Sequence, residues 1–529
     1  MPKPPSKTKI FPEGNSVKRR DFLIGAASAA ASCCRSVNAA SSPEVSADLT
    51  LRDDPSAPVI PRTFTGLSYE LAQLTDPTFF SPANLDLVAY FRLLSPNGVL
   101  RLGGNTSEFC WFKASASTPA PKLHVPPGNL DSNWMPHQLF EIRPEAIDAL
   151  AEFLHATGWR LIYGVNFGNS TPQRAADEAV YVAKKIGDQL EFFQIGNEPD
   201  LYRKASNGTR PPHWDFPDYI REWSAFARAV ATAVPVARFG APDVAASSDW
   251  ITRFSAAVPA QLASRVVALT GHYYAEGPPD DPRVTIQRLL AGNPRIASET
   301  NQIMASAHST RRIYRMTEGN SCYRGGKPGM SDAFAAALWA GDYMLKLASL
   351  GCAGVNLHGG RSAFLTAGLG GHTPGMKVAT TPQTLHSGFY TPIQSEPDHE
   401  AKAMPIFYGM LLANQFSGCK VLRTDCDLNA ANATVYAARD HRVTRIAIFN
   451  KNDRVSIDLA VRGLANATSA TVWRMQAPAL NATEDVTLAG APILSHAQWS
   501  PRTEESVKVR KGVATLHMPK SSAALLILK

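Results

Sequence analysis

A run of β-forming residues, "EFFQIG" (191–196), ends abruptly on Asn197, Glu198 and Pro199. A carboxyl group closing a buried strand is costly unless it is used. Cleavage of a glycosidic bond usually enlists two such groups, one protonating the leaving oxygen and one facing the anomeric carbon, about 5–5.5 Å apart in retaining enzymes. Glu198 is the candidate acid/base. Two later glutamates compete for the nucleophile, Glu299 in "RIASETN" and Glu318 in "RMTEGNS". Asn197 suits a hydrogen bond to a sugar 2-hydroxyl, an interaction that strengthens in the transition state. Tyr273, in "GHYY", is suited to donate to the nucleophile and hold it ionised, or else simply packs at a rim.

The elements that carry these residues decide between the two glutamates. Short apolar runs recur at 63–70, 98–105, 160–168, 190–198, 236–242, 266–274, 312–320 and 352–360. Helical patterns fall between most of them. "PEAIDALAEFLHATG" (144–158) has apolar residues at helical spacing and a glycine stop. "PDYIREWSAFARAVATAV" and "SDAFAAALWAGDYMLKLASLG" behave alike, the second with Ser331 as N-cap. Eight strands alternating with helices predict a (β/α)8 barrel over 63–400, whose chemistry belongs at the C-terminal strand ends. Glu70, Asn105, Asn166, Asn197, Glu198, Asp243, Tyr273 and Glu318 all fall at such ends. In "GNPRIASETNQIMASAHS", Asn293 reads as an N-cap and Pro294 as the first helical position. Ile296, Ile303 and Met304 then share a face. Glu299 therefore belongs to a helix, because a strand there would make a ninth. Glu318 ends the seventh run and is the expected nucleophile.

After about residue 415 the pattern changes to alternating β-branched and polar residues, which predicts an antiparallel β-sandwich over 415–529. The segment 47–62 is expected to add a strand to it.

The chain has 529 residues, 44% hydrophobic and 19% charged, which suits a soluble globular protein of two domains. Its formal charge of +8 is not a property of the fold. Residues 1–39 hold seven Lys/Arg and two Asp/Glu, so their +5 leaves only +3 for the remainder. That is a weak field for any polyanion, and no basic block interleaved with aromatics points to nucleic acid. Within 1–40, Lys18-Arg19-Arg20-Asp21-Phe22-Leu23 resembles a twin-arginine export signal, followed by an apolar run too short to span a bilayer. Export to the periplasm or beyond is the expectation, with no membrane anchor. Cys110, Cys322, Cys352, Cys419 and Cys426 follow the leader without CxxC spacing, so a zinc site is not expected and at most two disulfides could form.

Several segments resemble glycoside hydrolase family 79, the heparanase and β-glucuronidase family. They are "QIGNEPDLY", "GHYYAEG", "RLGGNTSEF", "FTGLSYELAQLTDPTFF" and the long block "TEGNSCYRGGKPGMSDAFAAALWAGDYM". The resemblance runs in order over about 63–350. It implies Glu198 as acid/base and Glu318 as nucleophile, with Glu70, Asn105 and Asn197 lining the glucuronic acid subsite. Tyr323 and the backbone amides after it, at Arg324 and Gly325, would hold the uronate carboxylate, and Tyr390 in "SGFYTPI" would close the pocket. A phenol beside N–H groups can bind a carboxylate without a full counter-charge. Heparanases follow that tyrosine with consecutive glycines, where this chain has Arg324 before Gly325 and Gly326. They also carry a glutamine after the fifth strand, where this chain has Ala245 and Ala246. Both departures favour an exo-acting, retaining β-glucuronidase over an endo-acting heparanase or hyaluronidase. A neutral-sugar glycosidase and a non-catalytic carbohydrate-binding barrel are the remaining alternatives. The two-carboxylate chemistry needs no metal or organic cofactor.

Overall fold

The computed structural model describes residues 44–123, 138–204, 209–369, 388–397, 399–428, 431–464, 467–502 and 505–529. The leader expected within 1–40 lies outside them. Described residues from Glu44 onward form one compact unit.

Its larger part is a closed barrel of eight parallel strands. They are β1 (Thr65–Glu70), β2 (Val99–Gly103), β3 (Arg160–Val165), β4 (Leu190–Ile195), β5 (Phe239–Val244), β6 (Val266–Glu276), β7 (Ile313–Cys322) and β8 (Gly354–Gly359). Each falls on one of the eight apolar runs. The outer ring is α1 (Leu85–Leu94), α2 (Pro144–Thr157), α3 (Pro172–Ile186), α4 (Phe216–Ala233), α5 (Ser248–Ala257), α6 (Ile296–Ser309), α7 (Phe334–Ser349) and α8 (Pro405–Asn414). Gly158 stops α2 in a left-handed conformation (φ 76°), the geometry a glycine C-cap supplies without a Cβ clash.

Two helix starts differ from the sequence reading. Asn293 does not cap α6; it accepts a hydrogen bond from the Arg295 amide, and the helix begins at Ile296. Ser331 is buried and accepts from the Lys327 amide rather than capping α7. The first amides of α7, at Phe334 and Ala335, donate instead to the carbonyls of Ala482 and Leu480. A tertiary partner supplies what a side-chain cap would otherwise provide.

The barrel lumen is layered. At the bottom, Val99, Ile162, Phe192 and Ala268 form a small apolar plug. Above it the filling turns polar, with Arg101, Gln194, Asp243 and Thr317 all within 1% of full burial. Barrel lumens are usually packed with branched aliphatic residues, so charge at this depth marks where the chemistry sits.

The C-terminal domain is a ten-stranded sheet that curls around its own core, in which Leu49, Leu459 and Leu516 pack against Ile446, Val472 and Leu526. The N-terminal strand Glu44–Arg52 enters this sheet. It runs antiparallel to Lys420–Asp425 but parallel to Ser456–Arg462, so the sheet is not purely antiparallel. The two parts are tied through Asp342 of α7, which accepts from Thr434 (2.7 Å), Tyr436 (2.6 Å) and Lys451 (2.5 Å). No helix among the described residues is long and apolar enough to cross a membrane.

Candidate active site

Glu198 and Glu318 meet at the C-terminal rim of the barrel. An oxygen of each, with a ring nitrogen of His272, lies within 4.8 Å of the other two. Glu198 follows β4 in a left-handed backbone conformation (φ 52°, ψ 50°), which is strained for a residue with a side chain. The turn is held by surrounding hydrogen bonds. The Glu198 amide donates to the Asp243 carbonyl (2.9 Å), and the Asn197 amide donates to the buried carboxylate of Glu108 (2.6 Å). Glu108 also accepts from the amides of Phe167 and Gly168, so one carboxylate fastens the loops after β3 and β4 together.

Glu318 owes its position to a bulge. The pairing of β7 with β6 shifts register between Met316 and Glu318, leaving Thr317 as an extra residue. Consecutive residues can then serve the lumen, which regular alternation forbids. The Thr317 hydroxyl donates to Asp243 (2.6 Å), while Glu318 reaches the centre of the site. A second register shift, between Pro242 and Val244 of β5, releases Asp243 in the same way.

Arg101, midway along β2, is the hub. Its Nε donates to Gln194 (3.0 Å). One terminal nitrogen donates to Ser68 (3.1 Å) and Glu318, the other to Asn197 (2.8 Å) and Asp243 (2.7 Å). All five guanidinium N–H groups are thus engaged. Gly103 leaves the space for this, because a Cβ there would come within 2.4 Å of the guanidinium carbon.

The two glutamates differ in ionisation. Burial opposes charge on Glu318, yet His358, His272, Arg101 and a hydrogen bond from the Tyr274 hydroxyl (2.8 Å) outweigh it and hold the carboxyl at about 2. Burial raises Glu198 above the ordinary glutamate value, and the neighbouring Glu318 charge adds to this, against the pull of His272. Burial also works against charge on His272, but Asp243 and Glu318 raise it to about 10. Its Nδ1 lies 3.0 Å from Glu198. Its Nε2 is 3.1 Å from Asp243, close enough for an ion pair but not aligned as a hydrogen bond. The imidazolium therefore occupies the place that a metal ion would take between these carboxylates. One carboxylate held ionised beside one whose pKa is raised is the division of labour that acid-assisted nucleophilic displacement requires.

The remaining expected residues fall into three groups. Glu70, Asn105 and Asn197 cluster beside the carboxylate pair. Glu70 accepts from the amide (2.8 Å) and hydroxyl (2.6 Å) of Thr106, and the Asn197 amide group donates to Asn105 (3.1 Å). Tyr323, Arg324, Gly325 and Tyr390 lie on the side of Tyr274. The Tyr323 ring meets Tyr274 edge-on at 6.4 Å, Tyr390 is 6.2 Å from Tyr274, and the Arg324 guanidinium sits 5.6 Å above Tyr323. The Gly325 carbonyl accepts from the Phe389 amide (2.9 Å), joining the two segments. Glu299 is on α6, 41% exposed, in an ion pair with Arg295.

Tyr273 is a correction. It faces outward, stacked on Tyr343 of α7 at 5.0 Å, and the donor to Glu318 is its neighbour Tyr274. Along β6, Ala268 belongs to the lumen plug and His272 to the site, so even-numbered positions face in. Besides Tyr274, the sequence reading did not assign Arg101, His272 or His358, which lies 2.9 Å from Ser68 and 3.6 Å from Glu70.

A closed parallel barrel with one carboxyl held ionised and another raised at its C-terminal rim is an arrangement suited to glycoside hydrolysis. Residues 435–525 match the glycosyl hydrolase family 79 C-terminal beta domain. A β-glucuronidase from Aspergillus niger is 27% identical over 346 residues, covering 60% of this chain and 62% of that protein. One from Neurospora crassa is 28% identical over 345 residues, 58% of each chain. The chain thus matches less than two thirds of the length of these relatives. Among solved structures, a 4-O-α-L-rhamnosyl-β-D-glucuronidase from Fusarium oxysporum has the same fold, with a TM-score of 0.70 at 18% identity over 90% of this chain and 99% of that one. The chain is thus similar to glycoside hydrolase family 79, whose C-terminal domain it matches.

Proposed function

We propose that this protein is a retaining, exo-acting β-glucuronidase. The observation that carries the reading is the pair itself: Glu318 held ionised at about 2 and Glu198 raised, with oxygens within 4.8 Å. That spacing suits a nucleophile and an acid on one anomeric carbon, and leaves too little room for the intervening water an inverting enzyme needs. Glu318 attacks the anomeric carbon as the bond to the leaving oxygen breaks, and the Glu198 proton passes to that oxygen. Glu198, now a carboxylate, then takes a proton from water, whose oxygen displaces Glu318 and frees the sugar.

Tyr323 and the amides beyond it are assigned the uronate carboxylate. The relatives' names, both β-glucuronidase, favour the same sugar. Exo action rests on two features of this chain. Arg324 places its guanidinium over Tyr323. The loop holding Ala245 and Ala246 donates its amides to Asp200, just beyond Glu198. Export through a twin-arginine-type signal remains part of the proposal, resting on residues 18–23.

The test is turnover of p-nitrophenyl β-glucuronide and its β-glucoside, with NMR detection of the first anomer released. Glucuronide hydrolysis giving the β-anomer first, lost in Glu318→Gln and kept in Glu299→Gln, is expected. Hydrolysis of the glucoside alone would defeat the uronate assignment, and the α-anomer first would defeat the retaining mechanism.

A further inference from the structure

A second cavity of about 180 Å³ lies outside the catalytic centre, where α7 and the loop before α6 meet the C-terminal domain. One wall is a stack of three rings: Trp339 and Tyr343 lie 5.2 Å apart at 8°, and Tyr343 and Tyr273 lie 5.0 Å apart at 16°. The polar lining includes Lys346, Lys451 and Asp342. Lys451, whose side chain is 7% exposed, gives one of its three donors to Asp342 and has no other side-chain partner among the described residues. Lys346, which also lines the cavity, makes no ion pair among the described residues. Two lysines against one carboxylate leave the lining with an excess positive charge. Glu276 and Glu299, whose charges reach Tyr273, are already paired with Arg288 and Arg295.

Stacked rings, a buried ammonium with donors to spare and a net positive charge together describe a sugar site with a preference for anions. Only the outer faces of such a stack, on Trp339 and Tyr273, can take the C–H side of a pyranose, and polar groups converging on an apolar wall fix orientation. We propose that this cavity is a secondary, non-catalytic site for a uronate-bearing sugar unit, with its ring against the stack and its carboxylate toward Lys451 and Lys346. A neighbouring cavity of about 150 Å³ shares Lys346 and Tyr436, so a chain of more than one unit can continue along the seam. The inference rests on the uronate reading of the catalytic centre, whose substrate this site would hold at a second point.

The experiment is calorimetric titration of D-glucuronate, and of methyl β-D-glucoside as the neutral control. The wild type, Lys346→Glu and Ala291→Trp are compared, the last filling the cavity mouth without changing charge. The wild type is expected to show a class of D-glucuronate site that Lys346→Glu weakens by at least ~10-fold, the scale of one lost charge contact, and that Ala291→Trp removes. The glucoside should not occupy it. Turnover of p-nitrophenyl β-glucuronide should be unchanged in both variants, which separates this site from the catalytic one. Identical isotherms in all three proteins, or equal binding of the glucoside, would overturn the proposal. Loss of glucuronide turnover in the wild type with Lys346-dependent binding retained would overturn the catalytic reading instead and support the cavity.

Discussion

Tyr274→Phe isolates one hydrogen bond to Glu318, the proposed nucleophile. The hydroxyl donates to Glu318 at 2.8 Å in a site where that carboxyl also has Arg101, with ring nitrogens of His272 and His358 each at 3.9 Å. A bond to a charged, buried acceptor contributes about 1.5–3 kcal/mol, and the charges that remain hold the loss near the low end. About 2 kcal/mol corresponds to a roughly 30-fold fall in kcat/KM. The bond favours the ionised form, so removing it raises the Glu318 carboxyl from about 2. A nucleophile active as its anion loses activity as pH falls through its own pKa. The acid limb of the kcat/KM profile must therefore move up in Tyr274→Phe, while the alkaline limb, set by protonated Glu198, stays. Tyr273→Phe is the matched control, one residue along and facing outward, and should leave both limbs in place. The assay is kcat/KM for p-nitrophenyl β-glucuronide across the acid range for wild type and both variants. A Tyr274→Phe enzyme with an unmoved acid limb, or an acid-shifted Tyr273→Phe, would refute the assignment of which tyrosine faces the lumen.

Arg101→Met leaves Asp243 and Glu318 as neighbouring buried carboxylates without their shared cation. Breaking a buried pair in this way costs about 3–5 kcal/mol, so chemical denaturation should show a loss of at least that size together with loss of turnover. His272 is raised from 6.5 to about 10, so the stability it contributes is complete below its unfolded pKa and disappears as pH climbs through about 10. Melting temperature should accordingly decline between those limits in the wild type and decline less in His272→Gln. Asp342→Ala removes three bonds between α7 and the C-terminal domain and strips Lys451 of its partner. A stability loss of about 3 kcal/mol in denaturant is expected with kcat unchanged, because none of these groups reaches the catalytic pair.

The eight strands could be read because each is a short apolar run punctuated by polar loops, and a strand buried on both faces leaves that signature without ambiguity. The same burial hid the orientation. An amphipathic strand announces its inner face by alternation, but in "VVALTGHYY" the only such signal is that polar Thr270 and His272 share the parity of Tyr274, and the sequence reading did not use it. Glu198 and Glu318 were legible as carboxyls that end runs, a place where an unused charge is expensive. Arg101 carried a signal of similar strength, a guanidinium inside "GVLRLGG", since a central parallel strand has no solvent-facing side to give it. Read by that rule, an arginine in mid-strand needs buried acceptors, and Asp243 and Glu318 are the acids that the barrel closure brings to it. What no local pattern could supply is the pair of bulges at Asp243 and Thr317. They change how many residues face the lumen, and their energetic reason is the charged network itself, assembled from strands far apart in the chain. Strand count and the two rim carboxyls were therefore local information, while the donors that set their ionisation belong to the closed barrel.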